Sequence, residues 1–394
     1  MVLSNEKVSI CIPNDLVFSI MSKLPLKSLN RFKCLRKSWV PVFETPYFMN
    51  MYRKNLISNN SYNNDACLLL KQTLLNFEKH SVLYLFSNES FDNKVKLDWP
   101  PPIQEDDRGI NILGSGINGI LCLYVNGLSS KLVVWNPTIQ EFKVIPPNPA
   151  VFVPSYVRFA SQHHGFGYDC IRSDYKVIRY VEFFTSLCYF LDARMNMSAS
   201  KVLHDPIWEI YSLKSNSWKK LDLDMKKIYR SPVSVVEQVY MNGVCHWLGK
   251  SERDIDNFYL VSFDLGNEGF FLTSIPPIMY NIIDFELVNT HLLLLNESIA
   301  LIYKDVETTT FHISILGEIG VRESWTKLFI VGPFPCLGNP IGVGKNGDIF
   351  FAKEDEELAR CDLTTNTVQE LGIKNMFFCC QMVIYKKNLL SIEE

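Results

Sequence analysis

His163-His164 and Cys379-Cys380 are the first places in this chain to look for a metal site, because each puts two ligand-type side chains together. Neighbours in a strand point to opposite faces, so neither pair grips a single ion easily. Cys245-His246 meets the same obstacle and occupies a strand position that recurs along the chain, where packing accounts for it. The acidic runs Glu105-Asp106-Asp107 and Glu354-Asp355-Glu356-Glu357 fall between strand-like segments. Adjacent like charges prefer water, so both read as solvated hairpin tips, and catalysis there would need a second group brought near in space. The sequence holds no G-x-S-x-G elbow, H-E-x-x-H helix or phosphate-cradling loop, and Gly114-Ser115-Gly116 lacks the spacing and following helix of a dinucleotide loop. No catalytic residue, metal or cofactor is expected, which leaves binding as the work of the fold.

Composition narrows the partners. Hydrophobic residues make up 47%, aromatic residues 13% and charged residues 21% of 394 residues, enough for a small module plus one large domain. A formal net charge of −3 provides no basic field for a nucleic-acid backbone. Eleven cysteines, with no C-x-x-C spacing, argue for buried free thiols in a reducing compartment. The opening MVLSNEKVSI is not a secretion signal, and no apolar run approaches a membrane span. A soluble protein of the cytoplasm and/or nucleus is expected.

The polar cluster of residues 58–65 forms a natural linker, and the texture changes after it. From Ala66 onward come short runs rich in Val, Ile, Tyr, Phe and Trp: ACLLLK, SVLYLF, GILCLYV, KLVVWN, YKVIRYVEFF, QVYMNGVCHWL, FYLVSFDL, ALIYKD, FHISIL, DIFFAK and MVIYKK. Their length and composition are those of strands. One local plan recurs: Ile117-Asn118-Gly119 leads to Val134-Trp135-Asn136-Pro137, Met241-Asn242-Gly243 leads to Phe263-Asp264, and Lys345-Asn346-Gly347-Asp348 leads to Cys361-Asp362. The Asn-Gly steps predict tight hairpins, and the later Asn or Asp predicts turns capped by their own side chains. Multi-stranded repeats that cannot bury both faces alone are the units of a β-propeller. Residues 66–390, at roughly 40–50 residues per blade, give about six or seven blades. Trp135, Trp247, Phe263 and Phe271 are expected to pack between blades.

Residues 12–48 follow different rules. Leu16, Ile20 and Leu24 recur at every fourth position with Val17 and Met21 beside them, so one helix would carry a broad apolar stripe. Pro13 suits the first helical position, Asn14 and Asp15 suit the first turn, and Pro25 stops the helix. Leu26, Leu29 and Phe32 then predict a second short helix folding back on the first. So short a segment has little core of its own, and its apolar stripe calls for a partner.

The motifs Ile12-Pro13-x-Asp15-Leu16, Leu24-Pro25-Leu26-Lys27-Ser28-Leu29, Arg31-Phe32-Lys33-Cys34, Lys37-Ser38-Trp39 and Pro46-x-Phe48 resemble an F-box. The rest of the chain is similar, more loosely, to the F-box-associated and kelch-repeat regions of plant proteins, including S-locus F-box-like relatives. Two positions depart from the pattern: Arg36 replaces a small residue, and Pro41 falls in the expected third helix, which must then start near it. The resemblance implies an all-α F-box over residues 8–54, a linker over 55–65 and an all-β propeller-like domain over 66–390, an α+β multidomain chain. It further implies a non-catalytic substrate receptor of an SCF-type ubiquitin ligase; the alternatives are an F-box scaffold acting with the adaptor outside a cullin ligase and a propeller enzyme of unknown chemistry. Pro13, Leu16, Ile20, Leu24, Pro25, Leu29, Phe32, Lys37 and Trp39 would hold an SKP-type adaptor and, through it, a cullin and a RING protein. The β domain would hold a target protein.

Overall fold

The computed structural model describes residues 13–24, 32, 39–43, 45–48 and 51 of the N-terminal segment. From 66 to 392 it describes all but 76–78, 88–90, 92, 104–108, 126–130, 149–156, 186–206, 223–227, 231–237, 252–256, 278–288, 296–297, 356, 364 and 375–379. The expected linker, most of the second helix and the run Glu105-Asp106-Asp107 lie outside the described residues.

Antiparallel strands build six sheets in chain order. The first holds β1 (Ala66–Leu75), β2 (Lys79–Phe86) and β3 (Lys94–Leu97). The second holds β4 (Ile110–Ile112), β5 (Leu121–Val125), β6 (Lys131–Asn136) and β7 (Glu141–Val144). The third holds β8 (Val157–Asp169), β9 (Asp174–Thr185), β10 (Ile207–Ser212) and β11 (Ser217–Leu221). In the fourth, β12 (Ile228–Arg230) and β13 (Val239–Met241) both pair with β14 (Val244–Ser251), followed by β15 (Phe258–Asp264) and β16 (Gly269–Ser274). The fifth holds β17 (Thr290–Leu295), β18 (Ser298–Asp305), β19 (Thr310–Leu316) and β20 (Trp325–Val331). The sixth holds β21 (Leu337–Val343), β22 (Ile349–Lys353), β23 (Glu357–Asp362) and β24 (Thr367–Lys374). Finally β25 (Cys380–Lys386) returns to pair with β1, so the first sheet is stitched from the first and last strands described. All eleven sequence runs fall on these strands.

The architecture is a six-bladed β-propeller, and its core shows why. Six apolar clusters each join one sheet to the next: Leu123 with Leu83, Cys122 with Val177, Trp208 with Trp247, Leu260 with Leu301, Phe311 with Phe351, and Phe350 with Leu70. The last cluster links the sixth sheet to the first and closes the ring. Blades are therefore apolar on both faces, which explains runs such as LCLYV that are buried throughout instead of alternating. Neighbouring contacts of β8 with β13, β13 with β17, β17 with β21 and β21 with β25 place these strands around the centre.

The turns follow the sequence closely. Asn118 and Gly119 have φ of 51° and 75°, and Asn242 and Gly243 have 50° and 85°, both residues left-handed as a two-residue hairpin of this type requires. The third copy differs: only Gly347 is left-handed, and the turn closes through Gly344 and Asp348. Four-residue turns end in a left-handed residue at Gln140, Ser173, Asn216, Glu268, Thr309 and Asn366. Asp264 Oδ1 accepts from Gly266 N at 2.8 Å and Asn267 N at 3.0 Å, and Asp305 and Asn136 cap their turns in the same way.

One aromatic expectation fails. Trp135, Trp247 and Phe263 are buried between blades, but Phe271 is 48% exposed on β16. Its neighbour Phe270 packs instead, with ring centroids 4.7 Å from Phe263 and 5.0 Å from Trp208. Adjacent strand residues point to opposite faces, so with Phe270 turned toward Trp208 of the third blade, Phe271 lies on the other face of β16, where it stays exposed although Thr273 farther along that face is buried.

Candidate functional site

Helix α1 (Asn14–Met21) starts one residue later than the sequence suggests. Pro13 is its N-cap, and the Pro13 carbonyl accepts from Leu16 N and Val17 N, both at 3.1 Å. The helix ends at Met21, ahead of Pro25, so Leu24 follows in the turn rather than extending the helical stripe. Helix α2 (Val40–Phe43) holds Pro41 in its first turn, where the missing N–H has no intrahelical partner to lose. Thr45 caps the helical turn of residues 46–48: its Oγ1 accepts from Phe48 N at 3.3 Å and donates to the Val42 carbonyl at 2.7 Å.

These pieces share a small core. Met21, Phe43 and Phe48 are buried together with Leu390 from far along the chain, and Val17, Phe18, Leu24, Phe32, Trp39 and Val42 pack half-buried around them. Aromatic rings lock the arrangement, Phe43 lying 4.9 Å from Phe48 and Phe32 5.6 Å from Trp39 between centroids. Two apolar side chains of α1 stay outside. Leu16 is 56% exposed and Ile20 55%, one turn apart on one face of the helix, and Pro13 and Asp15 near its start are exposed as well. Of the nine residues named from sequence, the structure thus brings Leu16, Ile20 and Pro13 to the surface. It turns Leu24, Phe32 and Trp39 partly into the module's own core; Pro25, Leu29 and Lys37 lie outside the described residues. Leu390 carries no motif and the sequence does not single it out.

The blades hold ionisable groups, all tied into packing. Arg179 is held by Glu209 through Nε at 2.9 Å and Nη2 at 2.7 Å, and its guanidinium lies 3.8 Å from the Trp218 ring centre. Burial pulls the Arg179 guanidinium below its usual range against the opposing pull of Glu209. Lys176 bridges the third and fourth blades through Asp169 at 2.9 Å and Glu268 at 3.0 Å. His246 is fully buried, pairs through Nδ1 with Ser262 Oγ at 2.8 Å, and is pushed down to about 4 by burial. Cys245 beside it is buried on the opposite face, toward the third blade, with its thiol pushed up by burial. The side chains of His163 and His164 lie outside the described residues; their backbone forms a bulge in β8. Asp355, Glu357 and Glu370 come together across a hairpin, but Lys353 Nζ already sits 2.7 Å from Asp355 and 2.6 Å from Glu370. That cluster is an exposed ion pair at a hairpin tip. No helix among the described residues is long and apolar enough to cross a membrane.

Comparison with known proteins agrees with this geometry. An F-box/kelch-repeat protein of Arabidopsis thaliana is 24% identical over 95% of this chain and 88% of its own length. The F-box/WD-40 repeat-containing protein 1 of the same plant is 25% identical over 84% of this chain and 71% of its own length. The F-box protein CPR1, also from Arabidopsis thaliana, is 24% identical over 81% and 73%. The sequence pattern of the F-box associated beta propeller domain matches residues 72–389, which are the blades themselves, and the chain belongs to that family.

Proposed function

We propose that this protein is the substrate-recognition subunit of an SCF-type ubiquitin ligase, working in the cytoplasm and/or nucleus. Residues 8–54 act as the F-box that docks an SKP-type adaptor, 55–65 as the linker, and 66–390 as the domain that grips a target protein by its inter-strand loops. The observation that carries the reading is the exposed pair Leu16 and Ile20 on α1, left in water while Val17, Phe18 and Met21 of the same helix pack inward. An apolar helix face of this kind fits a groove on a partner. Its F-box relatives support the same assignment. The buried free thiols of Cys67, Cys122, Cys245 and Cys361 suit a reducing compartment.

The mechanism is proximity, with no catalytic residue of its own. The adaptor brings cullin and a RING protein, and an enzyme carried there transfers ubiquitin to target lysines held nearby at high effective concentration. Co-purification of the chain and its Leu16→Asp, Ile20→Asp double variant with adaptor and cullin tests this reading. Capture of both by the unaltered chain and loss in the variant supports it. Adaptor without cullin points to a scaffold outside the ligase, and no adaptor at all overturns the F-box assignment.

A further inference from the structure

The segment after β25 does not stop at closing the ring. Residues 387–392 run across the second blade, with Asn388, Leu390 and Ile392 buried. Asn388 Oδ1 accepts from Asn136 Nδ2 at 2.9 Å and from Leu390 N at 2.9 Å, and Asn136 Nδ2 also donates to the Leu390 carbonyl at 2.8 Å. Thr138 Oγ1 meets Tyr385 OH at 2.7 Å just before the segment leaves β25. At its far end, both oxygens of the Glu141 carboxylate accept, one from Ser391 Oγ at 2.8 Å and one from Ile392 N at 3.1 Å. Ile392 enters the core between the second and third blades, while Leu390 enters the core of the helices.

This arrangement matters because the helices are poorly equipped to hold themselves. Among the described residues their shared core has four fully buried members, Met21, Phe43, Phe48 and Leu390, and the last is supplied by the strap. Helices this short need tertiary packing to persist. The anchors on the blade side all belong to the second blade or its turns, so the strap is fixed at both ends before Leu390 is presented.

We propose that residues 387–392 form a latch that clamps the N-terminal helices onto the second blade through Leu390, holding the exposed Leu16 and Ile20 face in one orientation relative to the propeller. The hold on the helices stands by itself; its use in orienting a bound adaptor rests on the function proposed above. Such a latch transmits: loosening the strap at Glu141, which does not belong to the helical core, should loosen the helices.

Hydrogen exchange on the full chain tests this with Leu390→Asp and Glu141→Ala. Exchange within residues 14–21 and 40–48 should speed up about tenfold or more in both, with β1 and β25 unchanged. Unchanged helices in both variants overturn the latch. Faster exchange in Leu390→Asp alone also overturns it, since Leu390 then merely packs. If Leu390→Asp disturbs the blades as well, Glu141→Ala decides. Adaptor capture by the unaltered chain is read separately: its absence sinks the docking reading and leaves the exchange result standing.

Discussion

Gln381 and Ile112 are joined by a two-point bond across blades: Ile112 N donates to Gln381 Oε1 at 3.0 Å, and Gln381 Nε2 donates to the Ile112 carbonyl at 2.9 Å. A side-chain amide here completes the backbone pairing of β4 as though it were another strand. The same device recurs where Gln238, ahead of β13, grips Phe166 N and O on β8, both at 2.9 Å. Both glutamines are buried, so each satisfies peptide groups that water cannot reach.

Replacing Gln381 by Leu keeps the volume near constant but leaves the Ile112 N–H and carbonyl unpaired. At about 1–3 kcal/mol per buried orphan, a loss of roughly 2–6 kcal/mol is expected, visible as a lower midpoint in urea or heat. Because β25 closes the ring, protease nicking near Ile112 should rise in parallel. A midpoint equal to that of the unaltered chain would remove Gln381 from the list of closure contacts.

The Arg179–Glu209 pair, stacked on Trp218, behaves as a buried unit. Glu209→Ala strands a guanidinium in an apolar setting and should cost about 3–5 kcal/mol, whereas removing both charges together should cost clearly less than the two single changes summed. A double-mutant cycle by chemical denaturation measures the difference. Little response to 0.5 M salt separates this pair from an exposed one such as Lys353–Asp355.

What could be read from sequence divides along physical lines. Asn118-Gly119, Asn242-Gly243 and the Asp264 turn were legible because local chemistry fixes them, each needing only its own residues to adopt the observed backbone. The propeller was legible because those turns repeat. Phe271 was misread because the strand runs FF, and composition does not reveal which of two adjacent aromatics faces inward. Gln381 with Ile112 and Leu390 with Met21 were invisible, since their meaning lies in contacts hundreds of residues apart. On α1, the four-residue spacing grouped Leu24 with Leu16 and Ile20, but the helix ends at Met21 and Leu24 turns toward the core.

His246 gives the fold a predictable acid weakness. Folded, it resists protonation down to about 4, while its ordinary value is 6.5. Between these values the unfolded chain binds the extra proton. The contribution is therefore whole above pH 6.5 and falls as pH drops, with about 3 kcal/mol lost by pH 4. His246→Gln should flatten stability against pH in that window by close to one proton, measured by denaturation at half-unit steps. An unchanged slope would mean the ring is not shielded as its burial implies.

The two exposed residues of α1 should separate binding from stability. Leu16→Asp and Ile20→Asp each place a charge in water and should move stability by no more than about 0.5–1 kcal/mol, the larger value for Ile20 near the helix C-terminus. Met21→Asp, by contrast, buries a charge in the helical core and should open residues 13–48 to protease. If Leu16→Asp is as protease-sensitive as Met21→Asp, the face is structural.

Gly119 and Gly243 occupy the same position in two equivalent turns, yet their surroundings differ. A Cβ on Gly243 would meet nothing closer than the Tyr168 carbonyl at 4.0 Å, so Gly243→Ala should carry only the left-handed backbone penalty of about 1–2 kcal/mol. A Cβ on Gly119 would lie 2.5 Å from the Lys386 carbonyl and 2.7 Å from the Asn388 side chain, where β25 hands over to the strap. Gly119→Ala must push that junction aside and should cost more than Gly243→Ala by about 1–3 kcal/mol. The excess should appear in hydrogen exchange at the N-terminal helices as well as in the second blade, because the displaced residues carry Leu390. Equal costs at the two glycines would show that the strap yields freely at Asn388.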